Sequence, residues 1–301
     1  MTDVTILGLG QMGSKLAELL LVSGRSVSVW NRSPRPTQVL AAAGAAAPET
    51  ATAAIAASPI SIVCVSDTAA LRQVLALDGA ADAVRGRLIV DLGTSGPEEV
   101  RETHAWLTAR GARHLDGAIQ AAPSQMGQPD TPILVAGPAK DVREAEPVLR
   151  VLGGNLIHVG EKIDAAAYMD LATLSWVYGS FAGFLHGARV AETVGVDVGA
   201  YGRLVQDISP SFGAFFRHEG EVIQSGDFTI TESPLRISIP AVARILGTSQ
   251  ALGLDEALPL LLDGWLRRAE AQGLADRELA ALIQVLRSPA LPSVRRAAEA
   301  G

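Results

Sequence analysis

VTILGLGQMG at residues 4–13 passes from a β-branched run into three glycines spaced Gly8-x-Gly10-x-x-Gly13. A helical stretch, KLAELLLVSG at 15–24, follows directly, and a second apolar run begins in SVSVWNRSPR at 26–35. Strand, glycine turn and helix in that order form the context a dinucleotide-binding fingerprint requires. Gly8 permits the tight turn, Gly10 lets backbone approach a pyrophosphate, and Gly13 lets the helix pack close to the strand. The residues between and beside them, Leu9, Gln11 and Met12, open the helix whose N-terminus faces the phosphate charge.

An NAD site usually carries an Asp or Glu about 20 residues further on, to accept from the ribose 2′-hydroxyl. Here that place holds Asn31, Arg32, Ser33 and Arg35, with no acid and two guanidinium groups. A guanidinium suits a 2′-phosphate, so the expected cofactor is NADPH.

The chain has 301 residues, enough for two domains with separate cores. Its net charge of −7 disfavours nucleic acid and anionic membrane, both of which reward basic surfaces. Cys64 is the single cysteine, which fits a reducing, cytoplasmic compartment and a small core residue. The first strand starts at once, so no signal peptide is expected, and no apolar run reaches the length of a membrane span. No metal is expected.

Apolar runs at 4–8, 27–30, 60–65, 87–91, 113–115, 132–136 and 156–158 alternate with helical stretches near 12–23, 35–43, 50–57, 69–75, 97–110 and 140–151. That alternation predicts an α/β fold with a doubly wound sheet, its last strands in mixed orientation. Residues 162–194 contain no proline and read as one helix of about 30 residues, roughly 45 Å long. Beyond it only helices are expected, near 197–208, 210–223, 233–252, 258–271 and 276–286, with a frayed end from 288. The domains predicted are a nucleotide-binding 1–161, an interdomain helix 162–194 and a helical 195–301.

Val65, Ser66 and Asp67 end the third strand, and Thr94 and Ser95 follow the fourth. Strand C-termini are where a dinucleotide and its reactive ring sit, so these are cofactor candidates, although Ser, Asp and Thr are also ordinary turn and cap residues. On the long helix, Asp170 lies among apolar residues, where an unpaired carboxylate is costly. Tyr178 is eight residues on, about 12 Å along the axis and about 80° around it, so both groups can reach one small ligand from two sides. Trp176 and Phe212 are candidates for an apolar substrate wall or for an interface. His104 and His114 read as surface or strand-edge residues.

GLGQMG followed by WNRSP resembles the β-hydroxyacid dehydrogenase superfamily, and LGTSGP, LDGAIQAAP and AAAYMDLATLSWVYGSFAGFLHG resemble its imine reductase and reductive aminase branch. The resemblance runs along essentially the whole chain. It implies an N-terminal Rossmann domain, an interdomain helix and an all-α C-terminal domain. It also implies a homodimer with intertwined C-terminal helices and the active cleft between the chains. The hydroxyacid enzymes place a catalytic Lys where this chain has Asp170, and a glycine-rich segment where it has Ala121-Ala122-Pro123. Reductive aminases place an Asn at Thr94.

The chemistry agrees with that exchange. A Lys protonates a developing alkoxide but repels an iminium, whereas an Asp attracts it. The resemblance therefore implies reduction of a small, preformed cyclic imine by NADPH, with Asp170 and Tyr178 catalytic and Thr94, Ala121 and Ala122 near the substrate. The alternatives are a hydroxyacid or short-chain carbonyl dehydrogenase, which the missing Lys disfavours, and a non-catalytic NADP sensor, which has no need of Asp170 and Tyr178.

Overall fold

The computed structural model describes residues 1–77 and 79–287, so the frayed end expected from 288 lies outside the described residues. The chain divides into two compact units, Met1–Trp176 and a second from Val177 onward.

The first unit holds seven strands: β1 (Val4–Leu7), β2 (Val27–Trp30), β3 (Ile60–Val63), β4 (Leu88–Asp91), β5 (Arg113–Ile119), β6 (Pro132–Ala136) and β7 (Asn155–Gly160). Its helices are α1 (Gln11–Val22), α2 (Pro34–Ala42), α3 (Ala51–Ala57), α4 (Thr68–Leu75), α5 (Ala80–Ala83), α6 (Pro97–Thr108) and α7 (Ala139–Leu152). The strands form one sheet in the order β2-β1-β3-β4-β5-β6-β7. Pairing is parallel except between β5 and β6, the mixed orientation expected.

Both faces of this sheet are covered, as a parallel sheet requires. Alternate side chains go to opposite cores: Ile6, Val29, Ile62 and Val90 pack with Leu16 and Leu20 of α1, while Leu7, Val63 and Ile89 pack with Ile55, Leu71 and Leu107. The chain leaves β1 towards β2 on one side and β3 on the other, which makes the C-terminal end of β1 the topological switch point.

The long helix α8 (Ala165–Thr193) starts in the first unit and ends in the second. The second unit adds α9 (Val198–Ser225), α10 (Leu235–Leu252), α11 (Ala257–Ala271) and α12 (Ile283–Arg287). Its cores are small, built from Leu235, Ile239, Leu266 and Val285, and from Val222, Phe228 and Ala281. No helix among the described residues is long and apolar enough to cross a membrane.

Four expectations are corrected. The helices foreseen at 197–208 and 210–223 are one, α9, which runs through Pro210. Pro210 withholds the N–H that would meet the Gln206 carbonyl, and the hydroxyls on either side bond back to the helix, Ser209 to the Val205 carbonyl and Ser211 to that of Ile208. The foreseen helix 276–286 is a 3₁₀ turn, Leu279–Leu282, leading into the short α12. Its start is fixed by fully buried Glu278, whose carboxylate accepts from the N–H groups of Thr231, Glu232 and Ser233. Burial alone would raise this group; the N–H donors prevail and hold it at about 2.

β5 continues past 115 to Ile119, because buried Asp116 and Gly117 belong to the sheet despite their poor strand propensity. A Cβ on Gly117 would lie 2.6 Å from the Leu134 carbonyl of the neighbouring strand. His114 is not at the surface: it is only 2% exposed, and its Nδ1 lies 3.3 Å from that of His104. Burial, and then the His104 charge, push it down to about 3, so it is neutral at physiological pH.

Candidate active site

A cavity of about 760 Å³ opens at the switch point. Its floor is the glycine turn, and its sides are the ends of β2 and β3 and the outer face of α4. The three glycines divide the work. Gly8 has φ +93°, and a Cβ there would lie 2.5 Å from the Cys64 carbonyl. A Cβ on Gly13 would collide with the Gly8 carbonyl oxygen, so glycine at 13 sets how closely α1 approaches the turn. A Cβ on Gly10 would meet no protein atom within 4 Å. The space it would fill is the approach for a phosphate. Gly10 caps α1 without a side-chain hydrogen bond, and the first turn carries no acid, so the helix N-terminus is available to an anion.

Gly8, Gly10, Gln11, Met12, Gly13, Asn31, Arg32, Ser33, Val65 and Ser66 line this cavity. The other cofactor candidates do not. The Leu9 side chain is buried in the core, and its N–H donates to Asn31 Oδ1 at 3.0 Å. Arg35 lies exposed in the first turn of α2. Asp67 caps α4, accepting from Ala70 N–H at 2.7 Å and from the Ser66 hydroxyl. Ser95 is bonded to Thr68, hydroxyl to hydroxyl, and Thr94 is exposed in the loop after β4.

Asn31 has a role its position alone does not disclose. While its Oδ1 holds the Leu9 N–H, its Nδ2 donates to the carbonyl and hydroxyl of Ser33. The amide thus latches the glycine turn to the turn after β2. Sequence reasoning missed the cavity's Trp30, Cys64, Ala70, Gln73, Val74 and Leu77. Gln73 accepts from Arg32 Nη1 at 3.0 Å and aims the guanidinium. The helical spacing of Ala70, Gln73, Val74 and Leu77 was the available signal. Burial, and then the Asp91 charge, raise the Cys64 thiol to about 11, so it is neutral and unreactive.

Further along the same sheet edge lies a group of carboxylates. Asp91 and Asp116 are register partners on β4 and β5, and both are buried. Burial raises Asp91 to about 6, tempered by the Gly93 N–H. Burial, and then the Asp91 charge, raise Asp116 to about 8, so it keeps its proton at neutral pH. Asp164 is fully buried too; burial would raise it, but Arg101 (2.6 Å) and Lys162 hold it below its ordinary value.

Asp170, half-buried on α8, receives the Gln120 amide on Oδ1 at 2.6 Å. Among the described residues no lysine or arginine pairs with it, and none donates to Oδ2. Ala121 packs on the core, and exposed Ala122 starts the 3₁₀ turn Pro123–Gln125. Trp176 ends the first unit and is 57% exposed. Tyr178 and Phe212 belong to the second unit, 69% and 49% exposed.

Residues 3–160 match the NAD binding domain of 6-phosphogluconate dehydrogenase, and residues 163–288 match the NADPH-dependent reductive aminase-like C-terminal domain. An NADPH-dependent reductive aminase from Aspergillus oryzae is 28% identical over 286 residues, 93% of this chain and 96% of that protein. A reductive aminase from Aspergillus terreus, solved with NADPH and ethyl levulinate, is 33% identical with a TM-score of 0.84, covering 95% of this chain and all of that one. An imine reductase from Myxococcus stipitatus, solved with NADP⁺, is 28% identical with a TM-score of 0.85, covering 94% and 99% of the two chains.

Proposed function

Because the chain belongs to the family of imine reductases and reductive aminases, we propose that it reduces the C=N bond of small imines to amines with NADPH. One observation carries the reading. Asp170 of α8, bonded to Gln120 just past the end of β5, presents a carboxylate oxygen that among the described residues has no protein donor and no cation beside it. A cationic iminium is attracted to such a group; a ketone gains nothing from it.

The residues of the cavity fit the dinucleotide. Gly10 leaves open space at an uncapped helix N-terminus for the pyrophosphate, and the guanidinium of Arg32, held by Gln73, would meet a 2′-phosphate. NADPH, when bound there, would supply the hydride for the imine carbon. Asp170 binds and orients the nitrogen through Oδ2, and the Tyr178 hydroxyl acts as a donor or positioning group from further along the same helix. Thr94, Ala121, Ala122, Trp176 and Phe212 are assigned to the substrate side of the cleft.

The working unit is a homodimer in the cytoplasm. Its support is apolar side chains exposed along α8, among them Met169, Leu171, Phe181 and Leu185, together with Phe212 and Phe216 of α9. Exposed apolar area on that scale is normally covered by a partner. A second copy with intertwined C-terminal helices covers it and brings one chain's helices to the other's cleft.

NADPH oxidation with 1-pyrroline and 3,4-dihydroisoquinoline, beside a panel of hydroxyacids run in the oxidative direction, tests the activity. Turnover of both imines is expected, and turnover of hydroxyacids alone would refute the reading. Cofactor choice is tested by Arg32→Ala. Loss of a charge-assisted contact should raise KM for NADPH about 10–100-fold and leave KM for NADH within about twofold. An equal change for both would remove Arg32 from the 2′-phosphate site.

A further inference from the structure

The side chain of Gln120 stands between two residues of α8. Its Nε2 donates to Asp170 Oδ1 at 2.6 Å, and its Oε1 accepts from Thr173 Oγ1, also at 2.6 Å. Its backbone is fixed as well, for the Gln120 N–H donates to the Pro132 carbonyl at 3.1 Å. The Thr173 hydroxyl lies 2.8 Å from the Asp170 carbonyl, one turn back along the helix.

These contacts admit one arrangement. An ionised carboxylate only accepts, so the amide must turn its NH₂ to Asp170. That leaves the amide oxygen facing Thr173, whose hydroxyl has a proton to give. If the amide were reversed, two acceptors would meet at Asp170. Asp170 therefore decides which way the amide faces, and Thr173, donating to Oε1, braces it there.

We propose that Gln120 is a positioning residue for Asp170, with Thr173 bracing its amide through Oε1. Gln120 occupies Oδ1 and fixes the plane of the carboxylate, so that Oδ2 alone is presented to the substrate nitrogen. It touches neither cofactor nor reacting atoms and acts through Asp170. The proposal rests on the imine-reducing reading above, in which Asp170 meets the nitrogen.

Outer groups that orient a first contact typically contribute 10–100-fold, and a displacement near 1 Å costs a comparable factor. Gln120→Leu, close in size but without hydrogen bonds, is expected to lower kcat for 3,4-dihydroisoquinoline about 10–100-fold and to leave KM for NADPH within about twofold. Thr173→Val, which removes the hydroxyl at nearly constant shape, is expected to lower kcat about 3–10-fold, and Thr173→Ser to restore it.

The deciding measurement is the cycle with Asp170→Ala. If Gln120 works through Asp170, Gln120→Leu adds less than about a twofold further loss once Asp170 is gone. The same loss in both backgrounds would overturn the proposal. So would a Gln120→Leu kcat within about twofold of the unmodified enzyme, or Thr173→Ser no better than Thr173→Val. The serine–valine comparison decides even where Asp170→Ala turns over too slowly to measure, and melting temperatures identify any variant that fails to fold. An unmodified enzyme inactive on every imine would refute the imine-reducing reading instead, a different result from an active enzyme indifferent to Gln120.

Discussion

Asp170→Ala should lower kcat for a cyclic imine by about 100–1,000-fold, the scale of losing one preorganised electrostatic contact at the reacting group. NADPH affinity should hardly change, since Asp170 is not among the residues lining the dinucleotide cavity. Stability should hold too, because Asp170 is only half-buried and, among the described residues, has no cationic partner to strand. Asp170→Asn separates charge from shape: its oxygen can still accept from Gln120, but the negative charge is gone. Turnover for Asn close to that of Ala would assign the effect to charge. Steady-state kinetics on purified variants measures this, and an Asp170→Ala enzyme within tenfold of the original would remove the carboxylate from the reaction.

The other large effect belongs to the glycine turn. In Gly13→Ala, the added Cβ collides with the Gly8 carbonyl oxygen, which is backbone and cannot swing away. Either α1 or the turn must shift, at a cost of about 3 kcal/mol or more. In a chain of this size that lowers the melting temperature by roughly 5–10 °C and disrupts the phosphate approach. Gly10→Ala is the contrasting variant. Its Cβ meets no protein atom, and the backbone has φ −69°, so it should melt within a few degrees of the unmodified protein. NADPH binding should nevertheless weaken at least about tenfold, because the methyl takes the space meant for the pyrophosphate. Thermal melting and NADPH titration of both variants check the pair. Equal melting temperatures would show that close helix packing at Gly13 is not required.

Local patterning made the nucleotide half legible. β1 and β2 were legible as short apolar runs, and the glycine spacing located α1 between them. Features that depend on partners distant in sequence were not. The apolar run at 113–115 stops four residues before β5 ends, since Asp116 and Gly117 have poor strand propensity. Asp116 is tolerated because burial keeps its proton on, and Gly117 is needed because Leu134 of β6 comes so close. Pro210 reads as a break, yet the helix runs on through it. The same limit applies at the site. Asp170 was visible as an acid on an apolar helix face, but its bond to Gln120 spans 50 positions of sequence. Gln73, 41 positions from Arg32, escaped notice for the same reason.

The latch made by Asn31 bears on redesign of the coenzyme preference. In Asn31-Arg32-Ser33, adjacent residues answer to different constraints: the Asn31 amide is spent on Leu9 and Ser33, whereas the Arg32 guanidinium is held by Gln73. Exchanging all three residues as a cassette would loosen the turn that shapes the pyrophosphate cradle, confusing loss of selectivity with loss of the site. Arg32 and Gln73 form a separable module. An acid introduced at 32 can court the ribose hydroxyls of NADH while the neighbouring amide keeps the architecture intact.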